Sequence, residues 1–167
     1  DHNWSGNFKN ADIRSQVRDP DNLDFRPKKD SELVDNGSLI EGKEIQYLGK
    51  APDIGPYEFG DINYWIPGFQ DKIASIPVPP NESKTVKTNA DLMWLNAYEA
   101  NSSDIYFGED FSSVKYASNK SPEYKGNQKN NIYSPGKLNP GKTYYWRIDG
   151  VIKNKIQKGN VWSFTVK

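Results

Sequence analysis

Tyr145 and Arg147 stand two residues apart in Thr143-Tyr-Tyr-Trp-Arg-Ile-Asp149, a stretch that alternates so strictly that both side chains leave the backbone on one face. A tyrosine ring beside a guanidinium can stack on a sugar face while the fork of N–H donors takes a sulfate or carboxylate in bidentate fashion. Tyr106, in Ser103-Asp-Ile-Tyr-Phe-Gly108, falls on the same outward phase. The plainer alternative for the three is a cross-strand aromatic and charge pair on a solvated sheet. Lys115, Tyr116, Lys120, Tyr124, Lys125, Lys129 and Tyr133 then interleave basic and aromatic side chains, a mixture that suits an anionic glycan and equally a single-stranded nucleic acid. The candidate ligand-binding set is Tyr106, Tyr145, Arg147, Lys115, Tyr124, Lys125 and Lys129.

Catalytic chemistry finds little support. His2 is the only histidine, lies beside Asn3 and Trp4 at the start of the chain, and is expected to be an ordinary terminal residue rather than a general base. Without cysteine, and with one histidine, a zinc site is excluded, and a serine triad would lean on the same His2. Asp19, Asp21, Asn22 and Asp24 crowd oxygen ligands together, which superficially suits calcium. The run lacks the central glycine and closing glutamate of an EF-hand loop, and Asp19-Pro-Asp-Asn22 is also a plain turn. Whether Asp53, Glu58 or any other carboxylates could share glycosidic chemistry depends on their separation in space. No catalytic residue and no cofactor is assigned, with calcium at Asp19, Asp21 and Asp24 the one ion weighed.

Hydrophobic residues make up 35% of the chain and mean hydropathy is −0.88, yet 13% of residues are aromatic, with five Trp and ten Tyr. Disordered chains are poor in aromatics, so an aromatic-rich core is expected. The 167 residues suffice for one large domain or a small one with an appendage. No apolar run approaches a membrane span, and no membrane partner is expected. The formal net charge of zero conceals a segregation: residues 1–71 carry 8 basic and 14 acidic side chains, residues 72–111 carry 3 and 6, and residues 112–167 carry 11 and 2. Such a distribution implies a polarised field and an anionic partner, although lysines on strand edges also guard against aggregation.

The elements that must position these residues read as all-β from about residue 72. The Pro140-Gly141 turn leads into a half-buried strand with Tyr144, Trp146 and Ile148 inward. Leu92 and Trp94, Ile105 and Phe107, and Trp162, Phe164 and Val166 alternate in the same way. With an edge strand at Ile76-Pro-Val-Pro-Pro80 and short strands at Val114–Ala117 and Asn131–Tyr133, this makes the seven strands a sandwich needs. Trp94, Trp146, Trp162, Tyr144 and Phe164 are expected in the core. Residues 1–71 hold short apolar pieces broken by Pro, Gly, Asp and Asn, and are expected to form turns and short strands.

Leu138-x-Pro-Gly-x-x-Tyr144 resembles the start of strand F in fibronectin type III domains, where the tyrosine hydrogen-bonds back to the preceding turn. Together with Asp104–Gly108, Ser121–Gln128, Thr143–Asp149 and Gly159–Thr165, it makes residues 72–167 similar to fibronectin-type modules appended to bacterial glycan-degrading enzymes. Arg18-Asp-Pro-Asp-Asn-Leu-Asp-Phe-Arg-Pro27, Ser31–Gly37 and Asp53-Ile-Gly-Pro-Tyr-Glu58 resemble the C-terminal closure of secreted right-handed parallel β-helix proteins that act on polysaccharides. These resemblances imply a β-helix closing segment and linker over 1–71 and an immunoglobulin/fibronectin type III-like β-sandwich over 72–167. They assign Asp53 and Glu58 to closure rather than catalysis. The function implied is that of a non-catalytic carbohydrate-binding module, cut from a secreted glycoside hydrolase or polysaccharide lyase, that binds an acidic, sulfated fucan-type polysaccharide. The alternative is a structural cap or spacer. A monomer is expected, extracellular, periplasmic or on the cell surface, whose partners are the polysaccharide and its own catalytic domain rather than nucleic acid. In a chain of bacterial type the sequons at Asn3, Asn81 and Asn101 carry little weight.

Overall fold

The computed structural model describes residues 13–39, 41–42 and 44–167, so His2, Asn3 and Trp4 lie outside the described residues. The chain divides into two units, Asp1–Asp61 and Ile62–Lys167.

In the first unit a one-turn helix α1 (Ile13–Gln16) runs into β1 (Val17–Asp19). A 3₁₀ turn at Pro20–Asn22 returns the chain as β2 (Asp24–Pro27), antiparallel to β1. Pro20 opens the turn where no N–H is required, and Leu23 closes it in the left-handed region at φ 65°. Beyond Pro27 three carboxylates take the place of a sheet ladder. Asp35 accepts the N–H groups of Lys50 and Ala51 at 2.6 and 3.2 Å, and Asp53 those of Asp35 and Phe59 at 2.8 and 2.5 Å. Glu58 accepts those of Leu48 and Asp53 at 3.1 and 3.0 Å. Every backbone N–H needs an acceptor, and an ionised carboxylate is a stronger one than a carbonyl. Gly37 lies where two stretches of the chain pass close together, since a Cβ there would stand 2.7 Å from the Pro52 carbonyl oxygen.

The second unit contains, in chain order, β3 (Ser75–Val78), β4 (Ser83–Val86), β5 (Leu92–Leu95), β6 (Ser102–Gly108), helix α2 (Phe111–Tyr116), β7 (Tyr124–Gln128), β8 (Ile132–Tyr133), β9 (Thr143–Ile152), β10 (Lys155–Gln157) and β11 (Val161–Val166). One sheet has the order β3-β5-β8. The other has the order β4-β11-β9-β6-β7, with β10 folded back on β9. β4 runs parallel to β11, and the other pairs are antiparallel. Leu92 and Trp94 of the smaller sheet pack against Ile105, Trp146, Ile148, Trp162, Phe164 and Val166 of the larger, which makes this an all-β sandwich. Trp94 meets Trp146 edge-on with centroids 6.4 Å apart, and Trp146 meets Trp162 at 4.7 Å. All five aromatics expected inside are buried. The hydroxyl of Tyr144 accepts the N–H of Asn139 at 3.1 Å, the corner that the Pro140-Gly141 turn predicts.

Two local assignments differ from the sequence reading. Residues 62–71, grouped there with the leading segment, lie in the second unit: Tyr64 and Ile66 are buried, and Asn131 exchanges two 2.7 Å hydrogen bonds with the Tyr64 backbone while donating to the Trp94 carbonyl. Val114–Ala117, expected as a strand, lies in and just after α2 instead.

The N–H groups of Lys50 and Ala51 hold the Asp35 carboxyl below its ordinary value of 3.8. A depressed folded pKa contributes stability that is complete above the unfolded value and is lost as pH falls through the folded one, so the acid-sensitive window of this turn lies below pH 3.8. Asp35→Asn tolerates the same left-handed backbone (φ 56°) without the charge. At pH 7 the Lys50 and Ala51 amides should exchange faster in the variant than in the wild type, the two converging as the pH drops below that window. Equal protection at pH 7 would remove the charge from the account of this turn.

Candidate functional site

The outward face of β6 and β9 is covered by α2. The Asp110 carboxylate caps the helix by accepting the Ser113 N–H at 2.7 Å, and this bond holds its pKa below the usual carboxylate value. Gly108, at the end of β6, lets the helix come close, because a Cβ there would lie 3.3 Å from Val114 Cγ2. Val114 and Ala117 bury against Tyr106, with Tyr124, Tyr145 and Val161 packed around them.

Arg147 lies beneath this helix and is 1% exposed. Its Nη1 donates to the carbonyls of Val114 and, at 2.7 Å, Lys115. Its Nη2 donates to the Ala117 carbonyl and to Asp149 Oδ2, both at 3.0 Å, and its Nε donates to Asp149 Oδ1 at 2.8 Å. All five guanidinium N–H donors are thereby used. The three carbonyls belong to the end of α2, where a helix leaves acceptors without internal partners. The guanidinium carbon also sits 4.0 Å from the Tyr106 ring centroid, directly across the strands. Asp149 Oδ1 accepts the N–H of Gly159 at 2.9 Å, so one ion pair joins β9, α2 and the loop that precedes β11.

Arg147 and Tyr106 are therefore not on a solvated face. Alternation gives their phase correctly, but α2 covers it. Burial, followed by the charges of Asp149 and Asp104, raises the pKa of the Tyr106 hydroxyl, with Arg147 opposing. Tyr145 is half-buried, edge-on to Phe111 at 5.8 Å. Tyr124 lies in strand β7. Its hydroxyl donates to Asp104 at 3.2 Å, and burial together with the Asp104 charge raises its pKa. Lys125 and Lys129 are exposed, but on and just after β7, which β6 and β9 separate from β11. The carboxylates weighed for calcium are engaged separately: Asp21 pairs with Arg14, Asp24 is forked by Arg26 at 2.9 and 2.7 Å, and Asp19 accepts from Asn22 at 2.9 Å. Among the described residues no group of three acidic, histidine or cysteine side chains could hold a metal.

Lys115 alone of the predicted set lines the groove that α2 helps to form. This groove, of about 640 Å³, has Phe111, Lys115 and Tyr116 on one side and Lys158, Asn160 and Trp162 on the other, with Asn81 also lining it. Phe111 is 43% and Tyr116 74% exposed, and Lys115 Nζ lies 5.5 and 5.4 Å from their ring centroids. Asn81 is fixed by accepting the Ser163 N–H at 2.8 Å. Gly159 brings the loop onto β9, where a Cβ would stand 2.1 Å from the Ile148 carbonyl oxygen. The lining offers aromatic faces, two ammonium groups and two amides, with no carboxylate or histidine. That suits holding an anion beside an apolar face. Phe111, Lys158 and Asn160 escaped the sequence reading. The signal that could have found the helix wall is the cap spacing Asp110-x-x-Ser113.

Arg147→Ala would leave Asp149 charged and buried, and should lower the unfolding free energy by about 3–5 kcal/mol in denaturant titrations. A loss under about 1 kcal/mol, the range of exposed pairs, would contradict a buried Arg147.

No protein-family model matches the chain, and no curated protein matches it in sequence.

Proposed function

We propose that this chain carries a non-catalytic carbohydrate-binding module of a secreted polysaccharide-degrading enzyme, and that the groove between α2 and the β11 loop binds an acidic polysaccharide of the sulfated fucan type. The observation that carries this reading is the pairing of Phe111 and Tyr116, both exposed, with a lysine held between them in a groove that no carboxylate lines. Sugar rings present an apolar C–H face suited to stacking, and their sulfates or carboxylates suit Lys115 and Lys158. The resemblance of residues 72–167 to modules of glycan-degrading enzymes supports the same class of ligand. So does the excess of 11 basic over 2 acidic side chains in residues 112–167. A tethered module of this kind keeps its enzyme at a high effective concentration on the polymer.

A second reading, a structural cap or spacer, draws on a specific observation. Arg147, whose guanidinium is the sequence's clearest candidate for anion recognition, is committed to internal hydrogen bonds, and the Tyr106 ring stacks against it. Affinity electrophoresis through native gels containing sulfated fucan, carrageenan, alginate or neutral glucan separates the two. The module should be retarded by sulfated fucan, less so as salt rises, and not by neutral glucan. Tyr116→Ala should weaken that retention about tenfold, the loss of roughly one good contact. Unchanged mobility in every gel would leave the cap reading in possession.

A further inference from the structure

The hairpin beyond the groove carries three lysines in six residues, Lys153, Lys155 and Lys158, all exposed. Among the described residues none of the three has an acidic partner, whereas Lys142, earlier on the same side of the sequence, is paired with Glu109 at 3.1 Å. β10 pairs with β9 through Lys155↔Ile152, Ile156↔Val151 and Gln157↔Gly150, which leaves a two-residue turn at Lys153-Asn154. Both turn residues have positive φ, 47° and 66°, as a type I′ hairpin requires. Asn154 suits that region. Lys153 does not, because Asn, Asp or Gly would fill the first position with less strain.

Lys155 could be accounted for as an edge-strand lysine that blocks aggregation. Lys153 could not, since it stands at the tip, outside the ladder, in a conformation its side chain disfavours. A charge kept there against turn preference points to a use for the charge. The 97–101 turn docks on the hairpin stem through the Asn101 N–H, which donates to the Val151 carbonyl at 2.9 Å. Lys158 lines the groove itself, so the basic run is continuous with it.

We infer that the β9–β10 hairpin is a second contact surface for the same polyanion, so that an acidic polysaccharide leaves the groove past Lys158 and runs along Lys155 and Lys153. This inference rests on the groove reading above. It specifies a ligand that is a polymer with charge repeated along its length, not a single acidic sugar.

The test uses the whole chain, commercial sulfated fucan as probe, and the double variant Lys153→Asn/Lys155→Gln, which improves the turn residue while removing two charges. Its melting temperature should equal or exceed the wild-type value. The slope of log affinity against log salt should fall in magnitude by about 0.7–0.9 per lysine lost. Tyr116→Ala, measured alongside, should weaken binding without altering that slope. Unchanged affinity and slope in the lysine variant, with Tyr116→Ala defective, would overturn the hairpin inference and leave the groove intact. The reverse pattern would place the polymer on the hairpin and overturn the groove reading. Displacement of the fucan by an oligothymidylate at equal charge concentration would make the surface a nucleic-acid site and overturn the commitment to polysaccharide.

Discussion

The arrangement of the outer face depends on one buried ion pair. Arg147 and Asp149 lie on β9, two residues apart and on the same face, and between them they hold the end of α2 and the N–H of Gly159. Measured as stability the pair has no advantage, because well-packed apolar side chains of equal volume do as well or better than a buried ion pair. Its value is geometric. A guanidinium has five donors in a fixed plane, and here two go to the carboxylate and three to helix carbonyls, an assignment that an ammonium on a flexible stem could not reproduce. The two walls of the groove come from stretches more than forty residues apart, and both are tied to this one pair.

The sandwich was legible because its strands alternate and its turns are marked. Trp94, Trp146, Trp162 and Phe164 could be placed inward by parity alone, and Pro140-Gly141 foretold the Tyr144 corner. The site was less legible, for a physical reason. Alternation divides a strand into two faces but does not say whether the second is covered, and β9 is buried on both from Trp146 to Gly150. Outward phase is therefore not exposure at Tyr106 and Arg147. The cover itself is a helix of six residues, too short to show a 3.6-residue period. Its Val-Lys-Tyr-Ala run alternates well enough to pass for a strand.

The segregation of charge was visible in the composition, yet it arises from two unrelated causes. In the first unit carboxylates serve as acceptors for backbone N–H groups where no sheet supplies them, as at Asp35, Asp53 and Glu58, or pair with arginines, as at Asp21 and Asp24. Much of that negative charge is spent on structure. In the last third the situation is inverted. One of its two acidic side chains, Asp149, is buried with the sole arginine, which leaves the lysines at the surface with little to neutralise them. A count of charges treats both halves alike, whereas the bonding does not.

The burial of Arg147 also decides which aromatics reach solvent. By fixing the end of α2 over Tyr106, it orients the helix so that Val114 faces the sheet while Phe111 and Tyr116 remain outside, with Tyr145 supporting Phe111 from below. The residues with the clearest sequence signal for anion recognition are thus the foundation, and less conspicuous neighbours become the surface. A sandwich core specifies no ligand, and function on such folds resides in what is attached to the sheet. Here the attachment is a short helix and a glycine-bearing loop. The charge that anchors them cannot also be a charge offered to solvent, and for that reason the cations this face presents are its lysines.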